Sequence, residues 1–309
     1  MFPHPPDRAQ RKALCLLAEA IDLHDDSIAA LEQAIQHMHS VDLSQTTLAD
    51  LSALSGLDWL TALNLEKTQV RDLSPLSWLL NLTELRLSEI PATDFAPLSV
   101  LTKLECLFLT STRLSDASLL APLTRLTFLD LGRTGVRDLA PLAALTALTH
   151  LSLAATAVDD LTPLASMADL ERLFLMGCRQ LTDLAPLAGL TGLKELALSV
   201  APSVRLRPLA GLSELTTLYF TDSNLPDITP LAGLTGLATL SMAGCLVRDV
   251  SALSGLTGLR RLDLGRCPVA DYTPLAALTD LRVLRVGSPE TPGAAALRAM
   301  PDTRVFFWE

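Results

Sequence analysis

The chain has 309 residues, 49% of them hydrophobic but only 4% aromatic and 19% charged, and it carries a net charge of −10. That acidic balance excludes the basic stripe of a nucleic-acid binder, and no apolar run reaches the roughly 18 residues that a membrane span needs. The five cysteines form no C-x-x-C pair, so they read as free thiols of a reducing cytosol rather than as a disulfide framework.

The first segment, MFPHPPDRAQRK, carries three prolines ahead of any apolar stretch and does not read as a secretory signal. Between residues 7 and 39, Leu14, Leu17 and Ile21 fall on one helical face. Ile28, Leu31, Ile35 and Met38 fall on another, with Asp25 and Asp26 between the two. This spacing predicts a helical hairpin, and residues 1–40 are read as an N-terminal helical cap.

From residue 41 to residue 293 the chain repeats itself with a period of 22 residues: a half unit, Val41 to Asp50, and then eleven units that begin at Leu51. The unit that begins at Leu161 holds one extra residue, near Arg179. A regular copy is LAPLAALTALTHLSLAATAVDD, Leu139 to Asp160. Positions 4, 10 and 13 of the unit are leucine throughout, from Leu54, Leu60 and Leu63 to Leu275, Leu281 and Leu284. The L-x-x-L-x-L segment ends in alternation, which predicts a short strand with two leucines pointing inward. Positions 1, 4 and 7 are three apart and suit a tight helical or 3-10 turn on the opposite wall. Aspartate recurs at position 22 (Asp72, Asp116, Asp160 and others), where its carboxylate can accept the unpaired N–H groups of that turn. Proline follows at Pro75, Pro97, Pro141 and their equivalents, where a missing N–H costs nothing. One such unit cannot bury its own leucines, so stacked neighbours must build a parallel sheet over a continuous core.

This repeat closely resembles that of bacterial leucine-rich-repeat proteins of the internalin type, and the similar 22-residue repeats of SDS-type proteins. The resemblance implies an α/β solenoid: a leucine-rich-repeat horseshoe with a parallel, concave β-sheet and short helical or 3-10 turns on its convex side. It also implies a protein-binding role. One column departs from the family, which usually has asparagine at position 18. Here the column reads Thr46, Thr68, Ile90, Thr112, Thr134, Thr156, Cys178, Ala201, Ser223, Cys245 and Cys267, and small hydroxyls and thiols partly replace the amide ladder. After the repeats, Ala294 to Met300 reads as a last helix. Thr303 to Glu309 reads as a terminal strand whose aromatics close the core, and residues 294–309 together form a C-terminal cap.

No catalytic motif is present: there is no phosphate-cradling loop, no G-x-G-x-x-G and no H-E-x-x-H. His37 and His39 form an H-x-H without companion ligands, and the stacked aspartates read as turn caps rather than a calcium site. No cofactor, metal, nucleic acid or membrane insertion is expected. The informative residues are those at positions 12, 14 and 16, on the solvent side of the strands, which the core does not require. Four of the 13 aromatics fall there, in the middle units: Phe108, Phe128, Phe174 and Tyr219. Together with Asp130, His150, Arg172 and Glu195 they are the candidate partner-binding residues, because aromatics beside arginine are the usual composition of interface hot spots. The expected role is a cytoplasmic, non-enzymatic module that binds a protein on its concave face. The alternative is an internalin-like adhesin or delivered effector that binds a host protein.

Overall fold

The computed structural model describes residues 38–54, 57–199, 203–220 and 223–308. The helical hairpin expected over residues 7 to 39 lies outside the described residues, save for the last two. The chain divides into two compact units, Met1–Leu148 and Thr149–Glu309.

In the first unit, Ser40–Asp42 (β1), Ala62–Asn64 (β2), Glu84–Arg86 (β3), Cys106–Phe108 (β4) and Phe128–Asp130 (β5) pair in chain order, all parallel. In the second, the order is His150–Ser152 (β6), Arg172–Leu175 (β7), Glu195–Leu198 (β8), Thr217–Phe220 (β9), Thr239–Ser241 (β10), Arg261–Asp263 (β11), Val283–Val286 (β12) and Arg304–Phe307 (β13). These too pair in sequence and in parallel. Leucines meet across the register, Leu63 with Leu85 and Leu85 with Leu107, so the repeat period sets the pairing directly. Both units are leucine-rich-repeat solenoids, with the sheet on one wall and 3-10 turns such as Ser74–Trp78 and Ala140–Ala144 on the other.

The leucine spacing has a backbone cause. Leu76 N donates to Leu73 O, Leu79 N to Leu76 O and Leu82 N to Leu79 O, at 2.9–3.1 Å. A three-residue leucine period and an i→i+3 hydrogen-bond period therefore coincide, so each turn points its leucines at the core while its own backbone stays satisfied. Leu76, Leu82 and Leu85 are all fully buried. After β1 to β7, β10 and β11 the chain turns through one residue with positive φ: Gln45, Lys67, Glu89, Ser111, Arg133, Ala155 and Arg266, or a glycine at Gly177 and Gly244. The amides of Gln45, Lys67, Glu89, Ser111, Ala155 and Gly244 reach a carbonyl of the next repeat, as Lys67 N does to Ser88 O at 2.9 Å.

The aspartate column closes the turns as expected. The amide two residues on donates to the carboxylate at 2.8–2.9 Å, from Ser74 to Asp72, Ser118 to Asp116, Thr162 to Asp160 and onward to Thr273 and Asp271. The hydroxyl and the amide of the following serine or threonine hold Asp72, Asp116, Asp160, Asp227 and Asp271 below the usual carboxylate range. A folded pKa below the unfolded value contributes stability above that value, and the contribution is lost as pH falls through the folded pKa. Urea denaturation is thus expected to show constant stability down to about pH 5 and a loss below about pH 4. Asp160→Asn keeps an acceptor oxygen that does not titrate, so it should lose less than wild type over that acid range. Equal losses in the two proteins would assign the acid sensitivity elsewhere.

Position 18 replaces the ladder only in part, because its threonines bond within their own repeat. Thr68, Thr112, Thr134 and Thr156 donate their hydroxyls to the carbonyl three residues back, at 2.6–2.8 Å. The thiols reach further, into the preceding repeat: Cys178 to Leu153 O at 3.1 Å and Cys267 to Met242 O at 3.0 Å. Cys178, Cys245 and Cys267 are buried free thiols. Burial pushes Cys245 up to about 12 and Cys267 up to about 11, which leaves neither as a thiolate at neutral pH.

One expectation fails at the C-terminus. A short helix, Ala294–Arg298 (α1), and β13 are present, and Ala294 and Leu297 are buried. The terminal aromatics, however, do not close the core: Phe306 is 49% and Trp308 48% exposed, while Phe307 is half-buried. Strand alternation turns Phe306 to the solvent face of the sheet. Trp308 lies beside Gly265, where an added Cβ would come within 3.2 Å of its indole.

Candidate partner-binding face

The alternation of the strands decides what this face can offer. In β4, Leu107 is buried while Cys106 and Phe108 are half-exposed, and β5 repeats the pattern with Leu129 between Phe128 and Asp130. The strand phase read from the leucines is therefore the observed one. The candidate residues divide between the two units.

In the first unit, Phe108 and Phe128 come together, with ring centroids 4.5 Å apart and planes tilted by 31°. Such an aromatic pair contributes about 0.5–1.5 kcal/mol beyond its buried area. Arg86 lies over the Phe108 ring, its guanidinium carbon 4.4 Å from the centroid. Its Nε donates to Glu84 Oε1 at 2.7 Å, which fixes the side chain in place. The sequence reading missed Arg86. The signal was present, since Arg86 sits at position 14 one repeat before Phe108 and pairs with it in register. Asp130 is largely committed within the chain. Its Oδ1 accepts Gly132 N at 2.9 Å and its Oδ2 accepts the Thr110 hydroxyl at 2.6 Å. Cys106, beside this group, has its thiol pushed up by burial and by the charges of Glu84 and Glu105.

In the second unit, His150, Arg172 and Glu195 occupy one register row. Arg172 Nε is 3.6 Å from Glu195 Oε2, an exposed pair that contributes little to stability. His150 Nδ1 is 2.7 Å from the Thr149 hydroxyl. Burial, and then the charge of Arg172, lower its pKa below the ordinary imidazole value. The next row carries Phe174, Ala197 and Tyr219. Ala197 is buried although it points to the solvent face, so the larger side chains on either side shelter it. Further along, β10 presents only Thr239 and Ser241, and a recess of about 290 Å³ opens there, bounded by Tyr219, Arg261, Asp263 and Arg285. The sequence reading passed over this recess because it weighed aromatics and not the small residues between them.

Among the described residues no cluster of three or more His, Cys, Asp or Glu side chains is placed to hold a metal ion. No helix among them is long and apolar enough to cross a membrane.

No family model matches the chain, and no curated protein matches it. Solved structures do. An internalin (inlF) from Listeria monocytogenes superposes with a TM-score of 0.84 at 27% identity, over 98% of this chain and 91% of that one. An internalin C2 from the same organism is 31% identical, with a TM-score of 0.62, over 70% of this chain and 94% of that one. A plant peptide hormone receptor, solved in complex with RGF2, shares the fold at 16% identity and a TM-score of 0.51, over 87% of this chain and 55% of its own. With its repeats, its parallel strands and 31% identity to internalin C2, the chain belongs to the internalin-like family of bacterial leucine-rich-repeat proteins.

Proposed function

We propose that the chain is a non-enzymatic recognition module that holds a protein partner on the solvent face of its strands. The observation that carries this reading is the Phe108–Phe128 ring pair with Arg86 laid over it. Aromatic surface that the core does not use is held rigid and outward. Rigid aromatics and arginine lose little entropy on binding and dominate interface energetics. Phe174 and Tyr219 offer the same chemistry in the second unit. The plant receptor with RGF2 bound shows a leucine-rich-repeat fold used for recognition, and the extension to this chain is part of the proposal.

The compartment we propose is the cytosol, consistent with four unpaired cysteines among the described residues. Membership of the internalin-like family favours a second reading, in which the chain is exported and its partner is a host protein. Fractionation of the source cells separates the two.

Affinity capture from source-cell extract tests the recognition reading. Wild type should retain a specific protein, and Phe128→Ala or Phe174→Ala should weaken that complex by roughly 2 kcal/mol, about thirtyfold in Kd. A partner bound equally well by folded forms of both variants would place recognition away from these rings.

A further inference from the structure

The recess in the second unit is built by a change in side-chain size along the sheet. Strand β10 shows Thr239 and Ser241 to solvent, while its neighbours show Tyr219 on one side and Arg261 and Asp263 on the other. Parallel strands lie about 4.8 Å apart, so replacing one strand's large side chains with hydroxyl residues leaves a slot one strand wide. Its volume, about 290 Å³, is at the low end for ligand pockets and suits a single side chain.

The chemistry lining the slot is one-sided. Asp263 is already occupied: its Oδ1 accepts Gly265 N at 2.9 Å and its Oδ2 lies 3.2 Å from Arg285 Nη1. The Arg261 side chain has no ion pair or hydrogen bond among the described residues and is exposed at the rim. Three hydroxyls, on Tyr219, Thr239 and Ser241, face the same space. The charged residues of strands β10 to β13 are Arg261, Arg285 and Arg304 against Asp263 alone, in a chain whose net charge is −10. Screening over about 8 Å at physiological ionic strength leaves this local positive surface, not the distant negative charge, to decide what docks.

We propose that this recess receives a carboxylate side chain from an acidic segment of the protein partner, with the Arg261 guanidinium as its principal donor. A planar guanidinium matches a carboxylate with two parallel N–H bonds, and the neighbouring hydroxyls supply further donors to its oxygens. This rests on the reading that the solvent face of the strands binds protein, and it adds the chemistry of what that face selects.

The test uses the full chain and a fluorescein-labelled hexaglutamate amide, followed by fluorescence anisotropy at low and high salt, with labelled hexaglutamine as control. Hexaglutamate should bind saturably and more weakly as salt rises, and hexaglutamine should not bind. Arg261→Gln should weaken binding roughly fivefold and Arg261→Glu roughly tenfold or more, with melting unchanged because the side chain is exposed. Arg248→Gln removes an exposed arginine away from these strands and should leave binding as it was. No saturable binding, or equal losses from Arg261→Gln and Arg248→Gln, would overturn the proposal. The two readings fail differently. A natural partner lost with Phe128→Ala but retained by Arg261→Glu sinks only the carboxylate recess. Hexaglutamate held at Arg261, with a natural partner indifferent to Phe128→Ala and Phe174→Ala, keeps the recess and sinks the aromatic recognition site.

Discussion

Leu129→Ala and Leu173→Ala are each expected to cost about 2–5 kcal/mol of stability, while Phe174→Ala, one residue further along its strand, shifts it by only about 0.5 kcal/mol. Both leucines are fully buried. Each pairs in register with a leucine of a neighbouring repeat, Leu129 with Leu107 and Leu173 with Leu151 and Leu196. Truncation therefore opens a cavity between repeats that cannot close without disturbing the ladder. Phe174 is half-exposed and leaves no such cavity. Phe128→Ala falls between the two, at about 1 kcal/mol, because it also dissolves the tilted pair with Phe108. Urea denaturation with the slope compared across variants measures all four. A shift of one residue in strand phase would exchange every inward side chain for an outward one. Phenylalanine variants that unfold beside leucine variants that do not would show that shift and abolish the binding face.

What the sequence revealed and what it concealed follow from which forces leave a mark on residue type. The leucine columns were legible because burial and the i→i+3 hydrogen bonds share one period, so Leu73, Leu76, Leu79 and Leu82 announce both at once. The aspartate column was legible because a carboxylate two residues before a turn has one evident partner. The left-handed residue that follows most of the strands was not. Lys67, Glu89, Ser111 and Ala155 occupy it, and none has the glycine or asparagine that usually marks such backbone. There the inter-repeat amide bond holds the conformation, and side-chain identity is free. The terminal aromatics misled for a different reason. An apolar TRVFFWE at the end of a solenoid reads as a plug, but a strand with a neighbour on one side only still alternates, and Phe306 turns outward. The binding face was half legible. Its columns were correct, yet Arg86 over Phe108 and the slot at β10 emerge only when adjacent repeats are set side by side, where a small residue matters as much as a large one.

Gly293→Ala is expected to be among the most damaging single-methyl additions available to the chain. Gly293 precedes α1 with φ +85°, and a Cβ there would lie 2.3 Å from Thr273 N, 2.7 Å from the Tyr272 carbonyl carbon and 3.0 Å from Asp271 Oδ1. Two of these three atoms are backbone and the third already accepts Thr273 N at 2.8 Å, so none can rotate aside. Relief requires α1 to lift from the turn Thr273–Ala277. That would break the 2.8 Å bond from Tyr272 N to Pro292 O and uncover Leu297. The left-handed backbone alone costs alanine about 1–2 kcal/mol, and lost burial of one leucine adds a similar amount, for about 3 kcal/mol in all. Gly244→Ala is the control. It also has positive φ, at 77°, but nothing lies within 4 Å of the added methyl, and Ala155 natively occupies the same repeat position at φ 56°. Its cost should be that of the left-handed backbone alone, about 1–2 kcal/mol, with no clash added. Because repeats are stabilised by their neighbours, damage at one end should stay near that end. Amide hydrogen exchange should quicken through β12, α1 and β13 in Gly293→Ala while β6 to β8 keep their protection. A Gly293→Ala protein that melts and exchanges like Gly244→Ala would mean that α1 yields freely and does not brace the last repeat.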